Sequence, residues 1–156
     1  MKMEKSNVEF WLIGDVDVDN PTSIAIENLN SWNEKSGIKW FGWQNSINDF
    51  LYKTDIACLP SYREGLPKSL IEAASTGLPI ITTDTVGCRE VVIDNLNGIL
   101  VPVRDYISLK YAIVSLINQK SLREKMGEES RKLVLSKFSK EIINNKTLDI
   151  YKNFLS

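Results

Sequence analysis

Two carboxylates, Glu64 and Glu72, are separated by seven residues that include Gly65, Pro67, Lys68, Ser69 and Leu70. Each carboxylate offers paired acceptors whose spacing suits the adjacent hydroxyls of a ribose or a hexose. Between them, Pro67 suits the first position of a helix because it has no N–H to leave unbonded. The amides of Lys68, Ser69 and Leu70 are then expected to point outward from a helix start, where the aligned peptide dipoles place about half a positive charge. A diphosphate is the anion such a mouth suits best. Gly65 has no side chain to occupy the phosphate's space. Taken alone, the spacing also fits a favourable dipole charge at Glu64 and a solvated Glu72.

Short apolar runs alternating with helical periodicity are expected to position these groups, as in βαβ units around a parallel sheet. Strands are expected at Val8 to Ile13, Ile38 to Phe41, Asp55 to Pro60 and Leu78 to Thr82, with a short edge strand at Ile99 to Val101. Helices are expected from Pro21 to about Lys35, from Pro67 to Ser75, and in a short piece after Gly87. A shorter one after Ser46 carries Ile47, Phe50 and Leu51. Three more finish the chain, at about Tyr106 to Asn118, Ser121 to Phe138 and Lys140 to Phe154, the middle one charge-rich and so expected to be mostly solvated. In an open parallel sheet, ligands sit beyond the carboxyl ends of strands, where loops enter helices, and Leu59 to Ala73 lies at such a place.

The run from Leu59 to Ile81, LPSYREGLPKSLIEAASTGLPII, resembles nearly residue for residue the core signature of glycosyltransferase family 4, also called glycosyl transferases group 1. The tail GCREVVIDN from Gly87 to Asn95, with NGILVP from Asn97 to Pro102 and Asp105, continues that resemblance. It implies an α/β, Rossmann-like three-layer α/β/α parallel sheet, the C-terminal, donor-binding half of a GT-B fold. Residues 1–7 are expected to be a flexible lead and residues 8–156 a single nucleotide-sugar-binding domain. The family's paired glutamates fall on Glu64 and Glu72. Glu64, as the catalytic residue, is expected to hold hydroxyls of the donor sugar, and Glu72 the ribose. The backbone of Gly65, Leu66, Pro67, Lys68, Ser69 and Leu70 is expected to bind the diphosphate. Gly14, and the corner at Gly42 and Trp43, occupy places where such domains contact nucleoside or phosphate.

The implied reaction is retaining transfer of a hexose from a nucleotide diphosphate sugar, a UDP-sugar in the first instance, to a saccharide or lipid-linked acceptor in polysaccharide biosynthesis. No residue is an obvious general base, which agrees with a leaving phosphate that assists departure and attack. Members of the family carry an Arg and a Lys in a glycine-containing segment after an earlier strand, and nothing in this sequence matches that pair. The acceptor-binding N-terminal domain is therefore expected outside this chain, and the chain alone is expected to bind donor weakly and to lack turnover. A non-catalytic module that binds nucleotide sugars, or a scaffold, is the alternative reading.

Composition narrows the partners. With 156 residues, 43% of them hydrophobic, the chain is long enough to bury a core. A net charge of −1 shows no footprint for nucleic acid or an anionic membrane. The absence of histidine and the presence of only two cysteines exclude a His-based triad and leave no zinc-ligand spacing. Cys58 and Cys88 are expected as reduced thiols, the first in a buried strand and the second in a loop. Asp15, Asp17 and Asp19 imitate a metal motif. A calcium loop, however, would need Gly where Asn20 stands and Glu where Ile26 stands, so neither a metal nor another cofactor is expected. No apolar run approaches the roughly 20 residues of a membrane span. The expected location is cytoplasmic, with the inner face of the plasma membrane open to the full-length enzyme.

Overall fold

Apolar runs closed by glycine or proline become strands, and the amphipathic stretches between them become helices. The structure, a computed structural model, describes residues 8–17, 23–35 and 37–155; the expected lead at 1–7 and Asp19 of the acidic motif lie outside the described residues. The chain gathers into two compact units, Met1–Ile47 and Asn48–Ser156.

In the first unit, β1 (Phe10–Leu12) pairs in parallel with β2 (Ile38–Trp40), Phe10 opposite Ile38 and Leu12 opposite Trp40. The crossover is α1 (Ile26–Lys35), which buries Leu29. Trp11 and Phe41 meet edge to face with ring centroids 5.5 Å apart.

The second unit opens with a single helical turn, α2 (Asn48–Leu51), and then builds a three-stranded parallel sheet from β3 (Ala57–Leu59), β4 (Ile80–Thr83) and β5 (Gly98–Val101), in that order. Helix α3 (Lys68–Ser75) connects β3 to β4, and the short α4 (Val86–Arg89) lies between β4 and β5. Three longer helices follow: α5 (Tyr106–Asn118), α6 (Lys120–Phe138) and α7 (Lys140–Leu155). Successive residues of the central β4 face opposite layers. Ile80 packs with Leu70 and Ala74 of α3, Cys88, Val91, Val92 and Val134, while Ile81 packs with Val101, Ala112, Leu116 and Met126. Helices thus cover both faces of the sheet in a Rossmann-like, three-layer α/β arrangement.

Three sequence expectations are corrected. Helix α6 is not simply a solvated rod. It buries Met126, Gly127, Ser130, Leu133 and Val134 along one stripe, packed on α3 and the sheet. Two members of that stripe are not apolar, which hides it from a hydrophobic pattern. Ser130 satisfies its buried hydroxyl by donating to the Asn97 carbonyl at 3.0 Å. The two cysteines exchange environments relative to expectation. Cys58 is exposed because β3 is an edge strand of this sheet and α5 packs on β4 and β5. Cys88 lies within α4 and is fully buried.

Candidate donor-binding site

The site segment leaves β3 at Leu59 and enters α3 at Lys68. Pro67 is the N-cap, one position earlier than expected, with φ −71° and ψ 105°, and no side chain caps the helix. Its carbonyl accepts from the amides of Leu70, at 3.1 Å, and Ile71, at 3.3 Å. The expectation that Leu70 presents a free amide is therefore corrected: that amide closes the first turn. The amides of Gly65, Leu66, Lys68 and Ser69 have no acceptor among the described residues. Open space surrounds Gly65, since a Cβ built there would meet nothing within 4 Å.

Glu64 is half-buried, and its carboxylate has no partner among the described residues. Helical side chains lean toward the helix N-terminus, and Glu72 does so. Its Oε1 lies 3.7 Å from Lys68 Nζ one turn back, with the Glu72 side chain 33% exposed. So exposed an ion pair adds little stability but brings both charges beside the mouth. The far end of α3 is held by a Schellman turn, in which Gly77, at φ +80°, donates to Ala74 and Leu78 donates to Ala73.

The other side of the segment rests on β4 and α4. Thr82 Oγ1 donates to the Leu59 carbonyl at 2.8 Å, and Thr83 Oγ1 donates to the Ser61 carbonyl. Gly87 abuts the carbonyl oxygens of Glu64 and Gly65. Asp84 and Arg89 form a two-fold ion pair, 2.5 and 2.9 Å, across the segment that carries Gly87. This pair holds the Asp84 carboxyl below the usual carboxylate range, chiefly through the hydrogen bond from Arg89. Arg104 stacks over the Tyr62 ring at 5.3 Å. Sequence reading identified the segment but not the supporting roles of Thr83 and Gly87, although Gly87 opens the GCREVVIDN tail.

In the first unit, Gly14 and Gly42 are joined directly: the Gly14 amide donates to the Gly42 carbonyl at 2.9 Å, and Trp40 Nε1 donates to the Gly14 carbonyl at 2.9 Å. Both glycines have positive φ, +132° and +63°. A shallow cavity of about 170 Å³ is lined in part by Gly14, Asp15, Ser23 and Trp40. Trp43 is 73% exposed. The Asp15 carboxylate accepts from the Val16 amide at 2.8 Å, an ordinary turn contact for an acidic residue in a loop.

The sequence model of the family described as glycosyl transferases group 1 matches residues 1–133. The chain belongs to that family. The capsular polysaccharide biosynthesis glycosyltransferase CapM of Staphylococcus aureus is 30% identical over 154 residues, a match covering 96% of this chain and 39% of CapM. The N,N'-diacetylbacillosaminyl-diphospho-undecaprenol alpha-1,3-N-acetylgalactosaminyltransferase of Campylobacter jejuni is 30% identical over 149 residues, covering 96% of this chain and 38% of its own length. The chain thus spans about two fifths of these group 1 relatives. Its fold matches the crystal structure of Anabaena Alr3699/HepE in complex with UDP, with a TM-score of 0.85 at 18% identity, over 94% of this chain and 41% of that one. This group 1 fold is GT-B in its structural neighbours, and no described helix is long and apolar enough to cross a membrane.

Proposed function

We propose that the chain is the donor-binding, C-terminal half of a retaining GT-B glycosyltransferase that moves a hexose from a UDP-sugar to a saccharide or lipid-linked acceptor in polysaccharide biosynthesis. One observation carries this reading: the unpartnered amides of Gly65, Leu66, Lys68 and Ser69 lie in one short segment bordered by Glu64 and Glu72. Four N–H donors at a helix mouth suit the non-bridging oxygens of a pyrophosphate, whose charge they meet through hydrogen bonds and the helix dipole. Metal coordination has no part in this assignment.

Glu64 precedes the mouth and accepts hydroxyls of the hexose. Glu72 follows it and accepts the ribose diol, with Lys68 beside it as a further positive charge. As the bond to the anomeric carbon breaks, negative charge builds on the β-phosphate, and preformed amides stabilise that charge more than the ground state. The acceptor is held by a second domain, in keeping with the share of its relatives that this chain spans. The chain alone therefore binds donor without turning it over.

Calorimetric titration of UDP and of UDP-hexoses into the chain, and into Glu72→Ala, tests the proposal. Binding to the parent that weakens about tenfold or more in Glu72→Ala is expected, from loss of charge-assisted hydrogen bonds to the ribose. Equal affinity in both proteins would remove Glu72 from the site. No binding at millimolar ligand by either the chain or a longer protein that contains it would remove the donor-binding reading.

A further inference from the structure

The carbonyl and the amide of one trans peptide group point in opposite directions. A Cβ built on Gly87 would lie 2.4 Å from the Glu64 carbonyl oxygen and 2.2 Å from the Gly65 carbonyl oxygen. Both carbonyls therefore face the start of α4. The amides in the same two peptide planes, those of Gly65 and Leu66, face away from it, and neither has an acceptor among the described residues. Three residues before Glu64, the Ser61 carbonyl is also held, by the hydroxyl of Thr83, a residue 3% exposed at the end of β4. The segment is gripped from behind, by its carbonyls.

We propose that Gly87 and Thr83 are positioning residues of the anion site, fixing two consecutive amides outward before any ligand arrives. The ligand's identity rests on the donor-binding reading above; the orientation of the amides does not. Gly87 is required for close approach, because any side chain there would drive α4 off the two carbonyls. Thr83 is required for its hydroxyl. A preorganised pair of donors costs no loop ordering when the anion binds, which is where such a brace gains affinity.

The test uses the whole chain and two readouts. Backbone 15N relaxation of the free protein reports the order of the Gly65 and Leu66 amides, and titration with UDP reports affinity. In the parent, both amides are expected to be as rigid as the sheet, with order parameters of about 0.85. In Gly87→Ala and in Thr83→Val they are expected to fall toward about 0.6, with UDP binding weakened about tenfold. Thr83→Ser, which keeps the hydroxyl, is expected to restore both. Should Gly87→Ala fail to fold, the Thr83 pair carries the test, since Thr83→Val preserves volume. Gly127→Ala, which strains the opposite end of α3, serves as the control that a purely structural effect would also move. Unchanged order parameters in Thr83→Val, or equal loss of affinity in Gly127→Ala, would overturn the proposal. If neither the parent nor a longer protein that contains it binds UDP at millimolar concentration, the donor-binding reading fails, while the relaxation comparison still decides whether the brace exists.

Discussion

Replacing Gly127 by Ala sets two effects against each other in the middle of α6. Alanine in a helix interior is favoured over glycine by about 0.5–1 kcal/mol, because glycine loses more backbone freedom on folding. Against this, the added Cβ would lie 2.1 Å from the Gly77 carbonyl oxygen, with Pro79 Cδ at 3.8 Å on another side. Ordinary contact requires that carbonyl to retreat by roughly 1 Å. It belongs to the Schellman turn that ends α3, whose Gly77 and Leu78 amides are both bonded, so it cannot rotate freely. Overpacking of this kind costs about 1–3 kcal/mol, which outweighs the propensity gain. We expect Gly127→Ala to destabilise the protein by about 1–2 kcal/mol and to lower Tm by roughly 3–8 °C. The mouth at Pro67 lies a whole helix length, about 12 Å, from the strained contact, so UDP affinity should be unchanged in the folded fraction. Circular-dichroism melting and urea titration measure the first quantity, and calorimetry measures the second. A Tm equal to or above the parent's would mean that α6 does not rest on the turn after α3.

Further outcomes follow from the same structure. Gly65→Ala meets no atom within 4 Å, and its φ is not positive, so stability should stay within about 0.5 kcal/mol of the parent while UDP binding weakens about tenfold; comparing Tm with titration checks both. Leu116 is fully buried in α5 against Ile81 and Met126, and Leu116→Ala should cost about 2–5 kcal/mol in urea unfolding. Asp105 caps α5, accepting from the Ser108 hydroxyl at 2.6 Å and from the Ile107 and Ser108 amides. These bonds, the Ser108 hydroxyl first, lower its carboxyl below the usual value. Its contribution to stability is therefore fully present above the unfolded-state pKa and is lost as pH falls through the lower folded value. Tm should drop more between pH 5 and about 2.5 in the parent than in Asp105→Asn, and equal drops would discount the cap's charge.

What was legible in the sequence divides along a physical line. Every expected strand appears, the first three shorter than expected, the fourth ending one residue later and the edge strand starting one residue earlier, because a run such as Leu78 to Thr82 between Gly77 and Asp84 has one plausible use in a parallel sheet. The stop at Thr76 and Gly77 was equally legible, since a left-handed residue after a helix is what glycine supplies. The buried stripe of helix α6 is not legible in the sequence because burial there depends on close approach. Gly127 and Ser130 lie in its buried stripe, one for lack of a side chain and the other for a hydroxyl that finds Asn97, and neither raises apolar periodicity. The exposure of Cys58 is not legible either, because a strand's place at the sheet edge is a property of topology, which composition does not carry.

The site shows the same division at finer grain. Residue types marked the segment: a glycine, a proline and two carboxylates are side-chain facts, visible in any string. The direction of a peptide plane is not a side-chain fact. Leu70 looked as available as Lys68 and Ser69, yet once Pro67 takes the N-cap position the third amide falls within reach of its carbonyl and is consumed. Gly65 and Leu66 have outward amides because the carbonyls of their peptide planes rest on Gly87, about 20 residues further along the chain, while Thr83 holds the Ser61 carbonyl just upstream. A glycine in a signature segment is therefore half of an anion site, and the other half is whatever turns its carbonyl away. In this chain that second half is itself a glycine, because only a residue without Cβ lets a helix start press against two consecutive carbonyl oxygens. A substitution at Gly87 would leave each group of the segment unaltered in chemistry and still misdirect the two amides it depends on.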